Sequence, residues 1–230
     1  MGTDEEVIET SFLSTEQVHV RRVSSARQGR VLKRGLDVLL ASGLLLFLAP
    51  LLLAIGCLIS WNGGPVLYGS RRIGQSGKEF QCLKFRTMRP DAERVLREWL
   101  AADPTLREEW ETNFKLEKDP RITRLGRVLR TSSIDEMPQL INVIKGEMSL
   151  VGPRPLLLDE ISIYPAHSLD LYTSVKPGIT GMWQVNGRDD VAHEKRIEFN
   201  DWYIRNCSLW VDVQILMRTI VVVIGRRGAS

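Results

Sequence analysis

From Val38 to Ile59 the chain runs through 22 residues without a charge. At about 1.5 Å per helical residue this segment reaches roughly 33 Å, the thickness of a bilayer's hydrocarbon core. A helix apolar on every side must be covered by lipid or by a large protein core. A chain of 230 residues seldom supplies such a core, so membrane insertion is the expectation and a buried core helix the alternative. A cleaved signal peptide fits less well, because the segment starts deep in the chain and is longer than a usual signal core.

Its flanks carry the topology signal. Arg21 to Arg34 hold six bases and no acid, which keeps the N-terminal side in the cytoplasm. The downstream side is basic as well, with Arg71, Arg72, Lys78, Lys84, Arg86 and Arg89. Pro50 lies just past the middle, where it removes a helix hydrogen bond and favours a kink. Two readings stay open: a helix that breaks at Pro50 and returns to the side it came from, or a kinked helix that spans.

The charge balance excludes a global field for nucleic acid, since 31 basic residues face 28 acidic ones for a net charge of +3. Any cationic surface must be local. Cys57, Cys82 and Cys207 have no metal-binding spacing, and their odd number suits a reducing compartment. There is no phosphate-binding Walker loop, dinucleotide fingerprint or HExxH pattern. Residues 1–30 lack an apolar period and are expected to form a flexible tail, 31–60 the membrane helix, and 61–230 the folded domain that follows it.

Within that last part, residues 66–88 predict a hairpin closed around Gln75-Ser76-Gly77. Its second strand places Lys84 and Arg86 two residues apart, so both are expected on one face, aimed at one place. Residues 91–116 predict two helices, with Asp103-Pro104 starting the second. Leu125, Val128 and Leu129 predict a further helix, and Leu140, Ile141, Val143 and Ile144 another, stopped by Gly146. Between these two stands Asp135-Glu136. Ser133 with Glu136 fits a capping box, while Pro138 argues for a later start; either way both acids fall in a first turn. Ordinary dipole compensation explains most acids there. Adjacent helical residues point about 100° apart, so the pair suits two neighbouring tasks better than one shared atom.

Met148 to Val151 predicts a short buried strand, followed by Gly152-Pro153-Arg154-Pro155, a rigid loop that presents one guanidinium and suits an anion clamp. The Gly-rich stretch from Pro177 onward ends on another candidate phosphate ligand, Arg188. Trp210 to Ile224, apolar but for Asp212, Gln214 and Arg218, predicts an interfacial helix or a packed C-terminal one.

Taken in order, several fragments resemble the bacterial sugar transferases, the monotopic polyprenyl-phosphate phosphoglycosyl transferases. They are Lys33-Arg34-Gly35-Leu36-Asp37, Arg72-Ile73-Gly74, Lys84-Phe85-Arg86-Thr87-Met88, Asp119-Pro120-Arg121-Ile122-Thr123, Leu129-Arg130-Thr131-Ser132-Ser133-Ile134-Asp135-Glu136-Met137-Pro138-Gln139-Leu140, Gly146-Glu147-Met148-Ser149-Leu150-Val151-Gly152-Pro153-Arg154-Pro155 and Lys176-Pro177-Gly178-Ile179-Thr180-Gly181. Each is weak alone; the ordered set, over residues 31–224, is specific. The text is most similar to galactose-1-phosphate transferases that start exopolysaccharide synthesis, in a minimal form without a preceding multi-span module. One departure is Asn200, three positions before Tyr203, where the family usually has Asp; Asp201 follows it.

The resemblance implies an α+β fold in which a re-entrant membrane helix-break-helix precedes a compact helical catalytic domain with a small β-hairpin or sheet and interfacial amphipathic helices. It implies a bacterial inner-membrane enzyme facing the cytoplasm. The reaction would move sugar-1-phosphate, galactose or glucose, from a UDP-sugar to undecaprenyl phosphate and release UMP, with Mg2+ as cofactor. Asp135 would be the nucleophile and Glu136 the metal ligand. Lys84, Arg130 and Arg154, with Arg86 and Arg188, would bind phosphate, and Pro50 would carry the membrane break. The implied partners are these substrates and the bilayer, with room for a homo-oligomer and downstream glycosyltransferases. A glycosyltransferase that releases UDP, and a non-catalytic membrane scaffold whose cations bind anionic lipid, are the competing classes.

Overall fold

The computed structural model describes residues 25–113, 116, 119–186 and 193–225. Most of the expected tail lies outside these residues, as does Arg188. A correction applies at the tail's end, because helix α1 (Ser25–Trp61) already includes Ser25 to Arg30. Extending a nucleated helix by residues that tolerate it is easier than starting one, which the missing apolar period at 25–30 did not reveal.

Helix α1 continues through Pro50, with helical residues assigned on both sides of it. Its most apolar stretch is only 11% buried by the rest of the chain, and Leu46, Phe47 and Leu53 stand open. The buried core helix is therefore excluded. Two patches do dock. Before Pro50, Ala41 and Leu45 pack against Phe80, Cys82, Leu140, Val143 and Met148. After it, Leu52, Ile55 and Ile59 pack against Phe85 and Leu129.

A polar root holds the start of α1. Lys33 Nζ donates to the Val151 carbonyl at 3.1 Å and pairs with Asp212 Oδ2 at 2.6 Å. Arg34 donates to the carbonyls of Val143 and Ile144 at 2.6 and 3.0 Å, in the last turn of a helix, where carbonyls lack full intrahelical partners. The buried Asp37 carboxylate accepts from Ser149 Oγ at 2.8 Å and from the Leu150 amide at 3.1 Å.

The hairpin forms as expected: β1 (Leu67–Ile73) pairs antiparallel with β2 (Glu79–Phe85), from Leu67 opposite Phe85 to Ile73 opposite Glu79. A strand absent from the sequence reading, β4 (Leu156–Leu157), adds to the free side of β1, giving the order β2-β1-β4. Helices α2 (Ala92–Ala102) and α3 (Pro104–Asn113) follow the hairpin, the Asp103 side chain accepting from the Thr105 amide. Helices α4 (Arg124–Thr131) and α5 (Gln139–Lys145) flank the acidic pair, and Gly146 ends α5 at φ 88°, where a side chain would be strained.

Strand β3 (Ser149–Val151) runs parallel to β5 (Gly178–Thr180). Helix α6 (Ala166–Thr173) precedes β5; α7 (Met182–Asn186), α8 (His193–Asn206) and α9 (Leu209–Ile224) follow. These last three close a second core around Trp183, Phe199, Tyr203 and Ile215. Both readings of the last helix hold in part. Ile215 and Asp212 of α9 are buried against the domain, while Trp210, Val213, Met217, Ile220 and Val221 leave an apolar face exposed.

One side chain joins hairpin to helix. Asn142 of α5, 1% exposed, accepts from the Leu83 amide at 2.9 Å and donates to the Gln81 carbonyl at 2.7 Å, satisfying the open edge of β2 as another strand would. Asn142→Ala leaves both part-buried backbone groups without that partner. The expected loss is about 2 kcal/mol, a Tm drop of roughly 4–8 °C in a domain of this size. Thermal unfolding in detergent measures it, and an unchanged Tm would refute the edge-clamp role.

Candidate active site

Three elements converge on the acidic pair. Thr123 caps α4, its Oγ1 accepting from the Gly126 amide at 2.9 Å, and its own amide donates to the Thr87 carbonyl at 3.0 Å. Gly126 lets α4 lie directly on that backbone: a Cβ there would come within 2.0 Å of the Thr87 carbonyl oxygen. At the end of α4, Arg130 Nε donates to Thr87 Oγ1 at 2.9 Å. Ser133 then takes a left-handed conformation, φ 57°, and Ile134–Glu136 forms a single 3-10 turn.

The expected capping box does not form. Ser133 makes no side-chain cap, and α5 begins only at Gln139, after Pro138. With three residues per turn, Asp135 and Glu136 project about 120° apart. Glu136 Oε1 meets Lys84 Nζ at 2.6 Å. Asp135 is buried at 9% exposure. That burial raises its pKa to about 6, against the pull of Lys84 and with a smaller push from Glu136.

Arg86 needs correction. Strand β2 ends at Phe85, so alternation fails one residue beyond it. The Arg86 guanidinium turns to the end of α1, donating to the carbonyls of Ile59 and Gly63. It caps the end of α1 instead of joining Lys84. A cavity of about 380 Å3 opens there, lined by Ile59, Asn62, Arg86, Met88, Arg89 and Thr123 among others, and neither Asp135 nor Glu136 lines it.

Arg72 takes a place the sequence reading did not give it. The hairpin register sets Arg72 opposite Phe80 and Tyr68 opposite Lys84, so Arg72 and Lys84 share a face. Counting back from the Gln75-Ser76-Gly77 turn would have found it. Arg72 is buried, and burial, then the like charge of Arg154, pulls its pKa down; Glu160 and Glu136 oppose this. Arg154 itself is exposed between two buried prolines, Pro153 and Pro155, its guanidinium carbon 5.6 Å from the Trp183 ring centre; that of Arg196 is 4.9 Å from the same ring. The structure thus brings Asp135, Glu136, Lys84 and Arg130 together, with Arg72 and Arg154 beside them.

The other motifs have structural tasks. Asp119 binds the Arg121 guanidinium, with contacts down to 2.6 Å, and Arg121 stacks on Trp110 at 4.9 Å. Gly178 and Gly181 lie so close to Gly152 that a Cβ on either would come within 2.1 Å of its backbone. Asn200 donates to Tyr164 Oη at 3.2 Å, and Asp201 accepts from Ser168 Oγ at 2.7 Å, both on the α6 side of the domain. Among the described residues no three His, Cys, Asp or Glu side chains gather as a metal cage. A lone Glu136 fits Mg2+ only in the mode in which the ion keeps waters and takes substrate phosphates as further ligands.

The profile of the bacterial sugar transferase family matches residues 28–226. The undecaprenyl-phosphate galactose phosphotransferase of Salmonella typhimurium is 46% identical over 222 residues, covering 95% of this chain and 46% of that protein. The exopolysaccharide production protein ExoY of Sinorhizobium fredii is 46% identical over 202 residues, 87% of this chain and 89% of its own length. The UDP-glucose:undecaprenyl-phosphate glucose-1-phosphate transferase of Escherichia coli is 36% identical over 200 residues, 83% of this chain and 40% of that protein. The chain thus spans under half the length of the Salmonella relative.

The buried Asp135 carboxyl opposes folding. Its folded pKa of about 6 lies above the ordinary 3.8, so between those values the folded protein binds more protons than the unfolded one. The penalty is absent below pH 3.8, grows as pH rises, and is complete above about 6. Asp135→Asn should therefore raise the Tm of metal-free protein at pH 7, with an upper bound of about 3 kcal/mol. The gain should shrink as pH falls toward 4. A Tm unchanged or lowered at pH 7 would contradict the assigned environment.

Proposed function

The chain belongs to the bacterial sugar transferase family, and we propose that it moves sugar-1-phosphate from a UDP-sugar to undecaprenyl phosphate through a covalent intermediate on Asp135. One observation carries the reading: a buried carboxylate on the same turn as a lysine-paired carboxylate, with Arg130 at its side. A carboxylate stripped of water is a better nucleophile than a hydrated one, and fixed cations beside it offset the charge of the phosphate it attacks.

In the first half-reaction an Asp135 oxygen bonds to the β-phosphorus of the UDP-sugar. The bond from that phosphorus to the bridging oxygen breaks, and UMP leaves with the oxygen. In the second, a phosphate oxygen of undecaprenyl phosphate attacks the same phosphorus and frees Asp135. Lys84, Arg130 and Arg154 hold the phosphate oxygens. Glu136 would hold Mg2+, which when bound supplies Lewis-acid neutralisation of the diphosphate. Galactose or glucose is the proposed sugar, in keeping with the names of the relatives.

We place the domain on the cytoplasmic face of the inner membrane, with α1 entering and leaving one leaflet around Pro50. What supports this is that Lys33 to Ala41 and Ile55 to Ile59, the two ends of the apolar segment, dock on one globular domain. A straight spanning helix would separate its ends by about 33 Å across the bilayer. The exposed apolar face of α9 adds a second lipid contact.

Two experiments test these readings. Enzyme given UDP-sugar and Mg2+ without lipid acceptor should release UMP up to one equivalent and keep sugar-phosphate label on the peptide bearing Asp135. Asp135→Asn should abolish both, whereas Glu136→Gln should slow the burst by about 10- to 1,000-fold, with partial rescue at high Mg2+. First UMP that requires lipid phosphate, or UDP as the product, would exclude the covalent step. For topology, cysteines introduced at Ser25 and Gln75 in a cysteine-free background should both resist an impermeant thiol reagent in intact cells. Labelling of just one would establish a spanning helix.

A further inference from the structure

Arg154 is exposed, yet the backbone on both sides of it is held by hydrogen bonds. The Gly152 amide donates to the Thr180 carbonyl at 2.9 Å, and the Gly178 amide donates to the Pro153 carbonyl at 2.8 Å. The next two peptides are held by two side chains from elsewhere. Tyr172 Oη accepts from the Leu156 amide at 3.0 Å and lies 3.0 Å from the Arg154 carbonyl, its acceptor, with the Ile73 carbonyl at 3.2 Å as a second. Arg72 Nη1 donates to the Pro155 carbonyl at 3.0 Å.

Neither polar group is explained by packing. Tyr172 is 1% exposed and its ring sits edge-on to Tyr164 at 6.1 Å; a phenylalanine ring would fill the same space. Burying the Arg72 guanidinium costs desolvation, and the like charge of Arg154 adds to it, with Glu160 at 4.0 Å a partial offset. Arg72 also bonds Ser70 Oγ at 3.2 Å, but polar groups kept in an unfavourable place, with most of their hydrogen bonds on one loop, point to that loop's geometry as what they secure.

We infer that Tyr172 and Arg72 are positioning residues that fix the Arg154 guanidinium for the donor's diphosphate. Tyr172 acts from α6 and Arg72 from β1, so the loop is held between two elements that also frame the second core and the hairpin. Displacement of a charged donor by about 1 Å costs on the order of 100-fold in rate; loss of one of several restraints should cost less.

The inference rests on the reaction proposed above, and the two fail differently. Using the UDP-sugar that wild type turns over, Tyr172→Phe should lower kcat/KM about 10-fold while keeping a cooperative unfolding transition. In an Arg154→Ala background the same change should alter kcat/KM by less than about 2-fold, because the group it positions is gone. Arg72→Lys keeps the charge and loses the planar donor, and should repeat the pattern; it alone decides the matter where Tyr172→Phe fails to fold. Full-rate single variants, or losses of equal size with and without Arg154, would overturn the positioning role and leave the reaction intact. Wild type that releases no UMP from any UDP-sugar overturns both.

Discussion

The structure depends on a carboxylate placed where the sequence is about to become wholly apolar. Asp37 sits one residue before the uncharged segment, and it is buried with both oxygens bound to β3, through Ser149 Oγ and the Leu150 amide. Lys33, one turn earlier, reaches the end of the same strand at Val151 and pairs with Asp212 of α9. Tyr203 completes the knot, its hydroxyl donating to Asp212 Oδ1 at 2.7 Å with the Val151 carbonyl 3.1 Å away. A helix that prefers lipid is thereby tied to a domain that prefers water. Lost partners at such a buried charge cost several kcal/mol, far above a surface ion pair. The tie also reaches the chemistry, since β3 leads straight into Gly152-Pro153-Arg154.

A net charge of +3 is too small for a global field, so a cationic site has to be gathered locally. The cations around the acidic turn come from four separate pieces of chain: β1 supplies Arg72, which holds the Arg154 loop, β2 Lys84, α4 Arg130 and the loop after β3 Arg154. Asn142 keeps the two middle pieces in register, because the helix it belongs to follows the acidic turn while its side chain holds the backbone of β2 on the strand that carries Lys84. The Lys84–Glu136 pair is thus a product of tertiary contacts, which explains why the sequence marked each residue but did not pair them.

Local rules read well where local physics decides. The hairpin turn, the Asp103-Pro104 helix start, the Gly146 stop and the strand before Gly152-Pro153 all lie where their residues put them. Reading failed where a residue's direction depends on what it meets. Arg86 was expected to follow Lys84, but the strand ends at Phe85 and helix carbonyls captured the guanidinium. Strand β4 is two residues long and exists only because β1 offers a free edge beside it. The acids were expected in a helix's first turn; the left-handed Ser133 places them on a turn of their own, and no side-chain pattern announces that conformation. Arg72 was within reach of the sequence, since the turn fixes which residues face each other, and only the register count was missing.

Several features of the site work against folding. Ser133 holds a backbone conformation that a residue with a Cβ adopts at a cost of about 1 kcal/mol. Asp135 is buried at the expense of its charge. Arg72 is buried beside another arginine. Each would relax if the elements around it moved by an ångström or two, so each needs neighbours that cannot move. Those neighbours are the rigid pieces already described: α4 lies on Thr87 with no room for a Cβ at Gly126, Gly152 and Gly178 touch backbone to backbone, and Tyr172 ties three peptides at once. Strain at the acidic turn and close backbone packing around it are then one arrangement, because the packing is what allows an unfavourable carboxylate to persist there.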